Sequence, residues 1–243
     1  ALGKALVERY PRESFTIATK CLAWALPNEQ AAKECLEVSL RRLGTDYVDY
    51  YLLHNVGGQR TAKFDEYGMW DFAQAQKVAG KIRYVGLSIH DDAACLDKLL
   101  RAHPEMDFVQ LQVNYLDWED PRNEARRMME VAAAHGKPVI IMEPARGGVL
   151  CRLPEEAGAI LAAAKPGASQ AEWAYRFCWN LPNVVAVLSG MSTVEQARQN
   201  LASYAANEPF DEAERQALDQ AIAKLRALAV APCTGCNYCV KDC

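Results

Sequence analysis

His54 occupies a position in the sequence where a side chain can take part in chemistry. It ends a β-branched and aromatic run that begins at Gly44, and Gly57 and Gly58 follow shortly after it. A run of this kind is typical of a buried strand in a parallel sheet, and the carboxyl ends of such strands form the functional face. An imidazole there can transfer a proton or donate a hydrogen bond. The alternative is a structural histidine that is hydrogen-bonded at the strand end.

The second candidate group consists of cysteines. Four of the nine cysteines lie in the last eleven residues, with the spacing C-x₂-C-x₂-C-x₃-C. This is the spacing of the bacterial ferredoxin run, whose thiolates hold [4Fe–4S] clusters; in two-cluster proteins the fourth cysteine serves the other cluster. A structural zinc site is the alternative, although zinc sites usually pair two C-x₂-C units across a longer gap. The predicted cluster ligands are Cys233, Cys236, Cys239 and Cys243.

The other five cysteines are scattered, mostly within apolar segments. Thiols in such segments behave as small buried hydrophobic side chains, and this usage is typical of a reducing compartment. We therefore expect a cytoplasmic protein, and we do not expect disulfides among the tail cysteines. The scattered residues are Cys21, Cys35, Cys95, Cys151 and Cys178.

Composition and charge favour a globular protein that acts on small molecules. Apolar residues make up 51% of the 243 residues, and the formal net charge is −4. The sequence has no Lys/Arg cluster interleaved with aromatic residues to indicate nucleic acid, and no apolar run approaches the roughly 18 residues of a membrane helix. Ala1 to Tyr10 has the pattern of a helix with no capping residue before it, so we expect the natural protein to begin further upstream.

Six strand-plus-helix units follow one another along the chain. The strands are nearly continuous apolar runs, as expected for parallel strands joined by right-handed crossovers. Such units build either an open doubly wound sheet or a (β/α)₈ barrel. We predict an α/β protein with a (β/α)₈ TIM-type barrel over residues 1–230, truncated in front by two units, and the start of a ferredoxin-type [4Fe–4S] domain at 231–243. The predicted strands are 15–20, 46–54, 82–87, 108–113, 138–142 and 184–188.

Helix starts are marked by residues whose side chains can cap the first turn. Asn28 precedes a helix that stops at Gly44, and Asp91 precedes a helix that runs through Leu100. Ser or Asp followed three residues later by Glu is the pattern of a capping box. This pattern predicts helix starts at Ser169, Ser192 and Asp211.

Five segments resemble the aldo-keto reductase family in their order and spacing. They are Thr19 with Lys20, DYVDYYLLH at 46–54, GKIRYVGLS at 80–88, Gln112, and SGMSTVEQARQN at 189–200. The resemblance covers nearly the whole chain, up to about residue 228. Members of this family are (β/α)₈ barrels that transfer a hydride between NADP(H), or less often NAD(H), and a carbonyl or alcohol, without a metal. The resemblance therefore implies the same barrel and a small-molecule carbonyl substrate.

The family's catalytic set is a tyrosine, a lysine, a histidine and an aspartate, and by resemblance Lys20 and His54 occupy the lysine and histidine positions. The carbonyl oxygen gains negative charge as the hydride arrives, and the tyrosine must protonate it although its ordinary pKa is about 10. A neighbouring ammonium lowers that pKa, and an imidazole orients the carbonyl with a hydrogen bond. The resemblance implies that the tyrosine and the aspartate lie upstream, so the 243 residues alone should be catalytically incomplete. The tyrosines that do not fall at the family's position are Tyr47, Tyr50, Tyr51 and Tyr84.

For the cofactor, the resemblance implies contacts at several strand ends. Ser88 and Gln112 match positions that hydrogen-bond the nicotinamide carboxamide. The turn that contains Arg146, Gly147 and Gly148 is expected beside the pyrophosphate, where glycines let the backbone come close. An ordinary loop is the alternative for this pair of glycines.

A helix start near residue 192 is the other expected cofactor contact. Ser189, Gly190 and Ser192 lie where free amide groups and the helix dipole favour phosphate, and Gln196 and Asn200 are expected to face the adenine. A helix cap alone is the alternative for Ser192.

Two departures from the family's pattern leave the choice between NADP and NAD open. Ile89 follows Ser88 where many members have Asn, and Gly190 with Met191 replaces the Lys-Ser that binds the 2′-phosphate in many others. We therefore expect NADP or NAD as the cofactor, without a stated preference.

A barrel followed by this cysteine run resembles a bacterial branch of the aldo-keto reductases with ferredoxin-type carboxyl-terminal domains. The resemblance implies a [4Fe–4S] centre that exchanges electrons with the cofactor, stabilises the fold or senses redox state, and with it a redox partner protein. Two other classes stay open. One is a non-catalytic electron-transfer or redox-sensing protein that binds nucleotide, and the other is a zinc-stapled binding module.

Overall fold

The computed structural model describes residues 2–228, and within this range six β-strands alternate with nine α-helices. Every strand is followed by at least one helix, as the sequence predicts. The strands are β1 (Ala18–Cys21), β2 (Val48–Val56), β3 (Ile82–Ile89), β4 (Phe108–Gln112), β5 (Val139–Met142) and β6 (Val184–Val187). The helices are α1 (Glu29–Leu43), α2 (Thr61–Glu66), α3 (Met69–Val78), α4 (Ala93–Ala102), α5 (Ala125–Ala134), α6 (Glu155–Ala164), α7 (Gln170–Trp179), α8 (Val194–Ala205) and α9 (Glu212–Ala227).

All six predicted strands are present, and their ends differ from the predicted ends by at most three residues. The largest difference is in β1, which begins at Ala18 rather than at Phe15. The reason is that the Ile17 N–H donates to the carboxylate of Asp49, and the Phe15 carbonyl accepts from the side chain of Arg12. The side chains of Asp49 and Arg12 thus bind the Ile17 N–H and the Phe15 carbonyl, which a regular strand would pair with its neighbour.

The strands lie in the order β1-β2-β3-β4-β5-β6, which is also their order along the chain. The pairs β1–β2, β2–β3 and β3–β4 are parallel. A doubly wound sheet would reverse direction at a switch point, and this order contains no reversal. The order therefore excludes the doubly wound alternative and matches the winding of the predicted barrel type.

The described residues fall into two compact units. The first unit comprises residues 2–111 and 127–139, and the second comprises residues 112–126 and 140–228. The predicted boundary at residue 230 lies outside the described residues.

In the first unit, β2 is buried and β3 approaches β4 closely. Val48, Leu53 and Val56 on β2 are completely buried. Gly86 on β3 pairs with Phe108 on β4, and a Cβ at Gly86 would lie 2.5 Å from the carbonyl oxygen of Phe108. Only glycine permits the two strands to approach this closely.

A cluster of charged side chains ties down the amino-terminal end of β2. The buried carboxylate of Asp49 accepts from Arg12 Nη2 at 2.6 Å, Arg83 Nη1 at 2.8 Å and the Ile17 N–H at 2.8 Å. Both guanidinium groups also lie over the ring of Tyr47, at 4.0 and 4.4 Å from its centroid. Burial by itself raises the pKa of Asp49, but these partners outweigh it and hold that pKa below its usual range. The cluster lies at the strand end opposite to His54, where it serves stability.

The second unit has its own core, formed by aromatic and aliphatic side chains around α6, α7 and α9. Trp173 stacks on Phe210 with ring centroids 5.2 Å apart. Beside them, the buried guanidinium of Arg176 forms two hydrogen bonds to the Glu214 carboxylate, at 2.7 and 2.9 Å. The Arg176 hydrogen bonds lower the pKa of Glu214 to about 2 against the opposing effect of burial.

Three of the predicted helix starts are confirmed. Asn28 Oδ1 accepts from the Ala31 N–H at the start of α1, and that helix ends at Gly44 in the left-handed conformation. Asp211 and Glu214 form a complete capping box at the start of α9. Ser169 also caps its helix, α7, by accepting from the Glu172 N–H at 3.1 Å.

Two other predicted caps were wrong by one residue. Asp92, not Asp91, caps α4, because Asp92 Oδ1 accepts from the Cys95 N–H at 2.7 Å. Thr193, not Ser192, caps α8 in a capping box with Gln196. Ser and Thr both cap helices and Gln serves as well as Glu at the third position, so the local sequence admits two registers.

The predicted cluster ligands Cys233, Cys236, Cys239 and Cys243 lie outside the described residues. Within residues 2–228, no group of three or more His, Cys, Asp or Glu side chains is arranged to hold a metal ion. None of the helices in this range has the length and apolar character of a membrane-spanning segment. The five scattered cysteines are free thiols there.

Candidate active site

Lys20 and His54 lie on neighbouring parallel strands of the first unit, towards the carboxyl ends of both. Lys20 on β1 pairs with Leu52 on β2, and His54 is two residues further along β2. Side chains at alternate positions of a strand share a face, and directly paired residues do so across strands. The ammonium and the imidazole therefore project from the same face of the sheet, as their predicted roles require.

The imidazole of His54 is held neutral by its surroundings. Burial lowers its pKa to about 4, and the positive charges of Lys20 and His90 act in the same direction. The side chain is largely buried, and its Nδ1 atom has no hydrogen-bond partner within the described residues. A neutral imidazole carries one proton, and with that proton on Nε2 the ring can donate a hydrogen bond.

The side chain of Lys20 forms no hydrogen bond or ion pair with a residue in the described range. Burial lowers the pKa of its ammonium group. An ammonium that no carboxylate neutralises keeps its full electrostatic effect on a nearby phenol or carbonyl.

The backbone around His54 is fixed by three hydrogen bonds from other elements. Trp24 Nε1 donates to the His54 carbonyl at 3.1 Å, and Arg60 Nε donates to the Asn55 carbonyl at 2.9 Å. Asn55 adopts a left-handed conformation with φ of 58°, and its N–H donates to Ser88 Oγ at 2.9 Å. Ser88 is completely buried, and its hydroxyl proton stays available for a further acceptor.

The tyrosines of β2 and β3 differ in their position relative to His54. Tyr51 points to the opposite face of β2, where burial first and the thiols of Cys21 and Cys35 second raise its pKa well above the ordinary value. The rings of Tyr50 and Tyr84 stack with their centroids 5.4 Å apart. Tyr50 lies two residues before Leu52 on β2, so this pair is further than His54 from the carboxyl end of the strand. The expectation that none of these tyrosines replaces the family's tyrosine stays a prediction.

In the second unit, Gln112 belongs to a buried polar network after β4. Gln112 Nε2 and Asn114 Nδ2 both donate to Asp117 Oδ2, at 3.0 and 2.8 Å. Asn114 Oδ1 accepts from the N–H groups of Leu116 and Asp117. Asn114 and Asp117 are completely buried. Asp117 and Asn114 lie outside the motifs, so sequence reasoning missed them.

The loop after β5 contains the predicted pyrophosphate contacts. Glu143, Arg146, Gly147 and Gly148 all have positive φ, with 93° at Gly148. A Cβ at Gly148 would meet nothing within 4 Å, so the backbone there borders open space. The buried Arg146 places its Nε 3.0 Å from Asp117 Oδ1 as an ion pair, without the angle of a hydrogen bond.

The residues predicted to contact a phosphate and the adenine lie around the start of α8 and form hydrogen bonds with one another. Ser189 Oγ lies 2.7 Å from the Tyr175 hydroxyl and accepts from Asn200 Nδ2 at 2.9 Å. Gln196 Oε1 accepts from the Ser192 N–H at 2.7 Å and, more weakly, from the Thr193 N–H. Ser189 and Asn200 thus contact one another, and Gln196 contacts Ser192.

Gly190 and its neighbours on this segment are exposed. A Cβ at Gly190 would meet nothing within 4 Å. Met191 is 45% exposed. Tyr175 contacts Ser189 from α7, and no motif in the sequence marked it because the two residues belong to different elements.

The sequence matches the profile described as the aldo/keto reductase family over residues 1–223. The chain belongs to the aldo/keto reductase family. Its similarity to aldo-keto reductases extends to curated and solved proteins. One from Mycolicibacterium vanbaalenii is 30% identical over 203 residues, which cover 83% of this chain and 67% of that protein. One from Mycobacterium avium is 30% identical over 205 residues, covering 83% of this chain and 65% of that protein.

A solved aldo-keto reductase from Bacillus halodurans, in its holo form, shares the fold of this family member. It is 28% identical with a TM-score of 0.71, and the match covers 90% of this chain and 75% of that chain. The chain thus spans about two thirds of the length of the two curated relatives and three quarters of the solved one.

Proposed function

We propose that this aldo/keto reductase family member is the larger part of an NAD(P)H-dependent enzyme that reduces an aldehyde or a ketone. The observation that carries the proposal is the placement of Lys20 and His54 on one face of adjacent strands, with His54 neutral. A neutral imidazole donates a hydrogen bond to a carbonyl without adding a second positive charge beside the ammonium. This pair distinguishes the proposed reductase from a protein that only binds nucleotide.

Each residue has a specific part in the proposed reaction. The bound cofactor supplies a hydride to the carbonyl carbon. His54 donates from Nε2 to the carbonyl oxygen and orients it, and the Lys20 ammonium lowers the pKa of the phenol that protonates this oxygen. Because His54 makes no hydrogen bond through Nδ1 within the described residues, its ring does not itself relay a proton.

Features of both units fit a nicotinamide cofactor. In the first unit, Ser88 has a buried hydroxyl whose proton is available for a carboxamide oxygen. In the second unit, Gln112 offers a half-buried amide to a carboxamide, and the open space at Gly148 suits close approach of a pyrophosphate. Ser189 and Gly190 are proposed phosphate contacts, and the exposed Gly190 and Met191 offer no cation for a 2′-phosphate, so the cofactor is NADP or NAD.

We further propose that the proton donor is a tyrosine contributed by residues outside these 243, within an eight-stranded barrel. The placement of the tyrosines on β2 and β3 supports this, as does the greater length of the relatives. The outer strands of the observed order, β1 and β6, would then each pair with an additional strand.

The test uses the full-length protein with a panel of small aldehydes and ketones and both reduced cofactors. We expect cofactor-dependent reduction that falls by at least about 100-fold in Lys20→Met and in His54→Leu, as for loss of a group that assists proton transfer. The exposed Lys98 on α4 provides a matched control, and Lys98→Met should keep full activity. Turnover that is unchanged in both active-site variants would contradict the proposal.

The alternative function is electron transfer or redox sensing by a barrel that binds nucleotide without reducing a carbonyl. The same panel separates the two: binding of cofactor to the full-length protein, with no turnover of any carbonyl, supports the alternative. A tyrosine and an aspartate in the strand-helix unit before residue 1 support the reductase, and their absence supports the alternative.

We also propose that Cys233, Cys236 and Cys239 ligate a [4Fe–4S] cluster, with Cys243 serving the same or a second cluster. The spacing supports this assignment because three thiolates on a tight loop can hold three corners of a cubane. The cluster would pass electrons between the cofactor and a redox partner protein, or stabilise the fold. A structural zinc ion is the competing occupant.

Anaerobic purification followed by measurement of iron, acid-labile sulfide and zinc tests the cluster. We expect a brown protein with iron and sulfide in equal amounts, which Cys233→Ser and Cys236→Ser abolish. Cys95→Ser is the control, because Cys95 is a free thiol on α4. A colourless protein that contains zinc would overturn the cluster and leave the reductase proposal intact.

A further inference from the structure

Asp117 is the centre of the buried network in the second unit, and its geometry fixes the orientation of the Gln112 amide. Asp117 Oδ2 accepts from Gln112 Nε2 at 3.0 Å and from Asn114 Nδ2 at 2.8 Å. Asp117 Oδ1 lies 3.0 Å from Arg146 Nε, as an ion pair. A carboxylate that is ion-paired with a guanidinium accepts hydrogen bonds and donates none. Gln112 must therefore present its NH₂ group to Asp117.

The second amide of the network is fixed independently. Asn114 Oδ1 accepts from the N–H groups of Leu116 and Asp117, at 3.1 and 2.9 Å. Backbone N–H groups only donate, so Asn114 cannot turn its amide around, and its Nδ2 must face Asp117 as well. Asn114 is completely buried, which holds this arrangement rigid. Both amides thus require an acceptor at the position of Asp117 Oδ2.

The consequence for a ligand lies at the other end of Gln112. This side chain is half-buried, and its Oε1 makes no hydrogen bond within the part of the chain that the structure describes. With the NH₂ end of the amide turned towards Asp117, the group that Gln112 offers at its opposite end is an acceptor. A ligand that meets this group must bring an N–H or O–H donor, because an acceptor in that position would be repelled.

We infer that Asp117 is a positioning residue, which turns the Gln112 amide so that Oε1 accepts from the NH₂ of the nicotinamide carboxamide. This inference rests on the proposed function, in which Gln112 contacts that carboxamide. Asp117 itself touches no cofactor. It makes the protein selective for a pyridine ring that carries a hydrogen-bond donor, because a buried acceptor left without a donor costs binding free energy.

The selectivity can be measured with two dinucleotides that differ in one group. NADP⁺ carries a carboxamide, and its 3-acetylpyridine analogue keeps the carbonyl but replaces the NH₂ with a methyl group. Calorimetric titration of the full-length protein should give about tenfold weaker binding of the analogue, as expected for one lost hydrogen bond with an unsatisfied partner. NAD⁺ and its 3-acetylpyridine analogue are titrated in parallel.

Variants of Asp117 separate positioning from a merely structural role. Asp117→Ala removes the acceptor and frees the Gln112 amide to turn. The ratio of the dissociation constants of the acetyl and carboxamide dinucleotides should therefore fall from about ten towards one. In Asp117→Asn the Asn114 amide, which the backbone fixes independently, holds the oxygen of the substituted side chain in the Oδ2 position, and the preference should be retained. A structural role alone would weaken both dinucleotides equally in both variants and leave the ratio unchanged.

Removal of Asp117 leaves the buried Arg146 guanidinium without its ion-pair partner, and this lowers the free energy of unfolding. The double variant Asp117→Leu with Arg146→Met avoids a lone buried charge and should also lose the preference. Gln112→Met lacks the Oε1 acceptor altogether. The ratio of its dissociation constants for the two dinucleotides is therefore the reference value for the loss of this hydrogen bond.

The outcomes are distinguishable from failure of the proposed function. If the unsubstituted full-length protein binds neither dinucleotide of either pair, the proposed function fails. If it binds the carboxamide and the acetyl dinucleotides equally, or if the preference survives in Asp117→Ala and in the double variant, the inference about Asp117 is overturned while cofactor binding stands.

Discussion

The ammonium of Lys20 acts on the imidazole of His54 across two paired strands. Lys20 is opposite Leu52 in the sheet, and His54 follows on the same face of β2. Burial and the Lys20 charge together bring the His54 pKa down to about 4, so the ring is neutral at physiological pH. This relationship links the sheet register to the chemistry, because a shift of one residue in either strand would place one side chain on the other face.

The coupling between the two groups predicts a measurable shift. Lys20→Met should raise the pKa of His54 from about 4 towards its ordinary value, because one positive charge is removed while burial stays. Titration of the histidine ring signals by NMR measures this directly. His135, which contacts Asp97 on the surface, provides an internal control whose titration should not change. An unchanged His54 titration would contradict the coupling.

The neutral His54 also predicts a dependence of stability on pH. The folded-state pKa of about 4 lies below the unfolded value of 6.5, so the unfolded chain binds the proton more tightly. Stability should therefore fall as pH drops from about 6.5 to about 4, by roughly 3 kcal/mol at most. Urea unfolding across this range measures it. His54→Leu should flatten the dependence, and a dependence that persists in that variant would refute its assignment to His54.

The Arg176–Glu214 ion pair is predicted to anchor α7 to α9. Arg176→Met removes both guanidinium hydrogen bonds from the buried Glu214 carboxylate, which keeps the longer ion pair with Lys165 at 3.6 Å, and should cost about 3 kcal/mol of unfolding free energy. Because the pKa of Glu214 is lowered to about 2, the pair stabilises fully above pH 4.5 and loses its contribution as pH falls towards 2. Chemical denaturation is the measurement, and Arg198→Met at an exposed position on α8 is the control. A loss no larger than that of the control would contradict the prediction.

Gly86 is predicted to be irreplaceable for the packing of β3 against β4. A Cβ there would lie 2.5 Å from the Phe108 carbonyl oxygen and 2.7 Å from the Phe108 ring, so Gly86→Ala forces the strands apart. We expect a loss of about 2 kcal/mol or more in a thermal or chemical unfolding experiment. Gly190→Ala is the control, since its Cβ would meet nothing within 4 Å. Equal stability of the two variants would show that the close approach is absent in solution.

Gly148 and Gly136 form a matched pair for testing the cofactor loop. Both have positive φ, and a Cβ at either position would meet nothing within 4 Å, so alanine carries a similar backbone strain at both. Gly148→Ala should in addition weaken NADP⁺ binding, because its methyl group occupies space assigned to the pyrophosphate. Gly136→Ala should leave binding unchanged. Equal affinities in the two variants would remove Gly148 from the proposed site.

The strand-and-helix order, Lys20 and His54 could be predicted from the sequence because their signals are local. A β-branched run, a strand end and a short motif are each read within about ten residues of the chain. Asp117 and Tyr175 could not be predicted in this way. Asp117 meets Arg146 and Tyr175 meets Ser189 only after separate elements have packed together, and no local pattern records such a contact.

The predicted cap of α8 was wrong by one residue, although the signal for a helix start was local and correct. Ser192 and Thr193 are adjacent cap formers, and the pattern favoured Ser192 with Glu195. Thr193 caps α8 because Gln196 returns its side chain to the Thr193 N–H and completes the capping box. The competing register differs by one residue, and only the side-chain geometry decides between them.

The central claim is that Lys20 and His54 assist hydride transfer to a carbonyl. Its most direct test supplies the full-length protein with a reduced cofactor deuterated at the nicotinamide C4 position and follows deuterium into the product by mass spectrometry. The account predicts deuterium on the former carbonyl carbon, at a rate that Lys20→Met and His54→Leu each lower by at least about 100-fold. Deuterium transfer at an undiminished rate in both variants would contradict it.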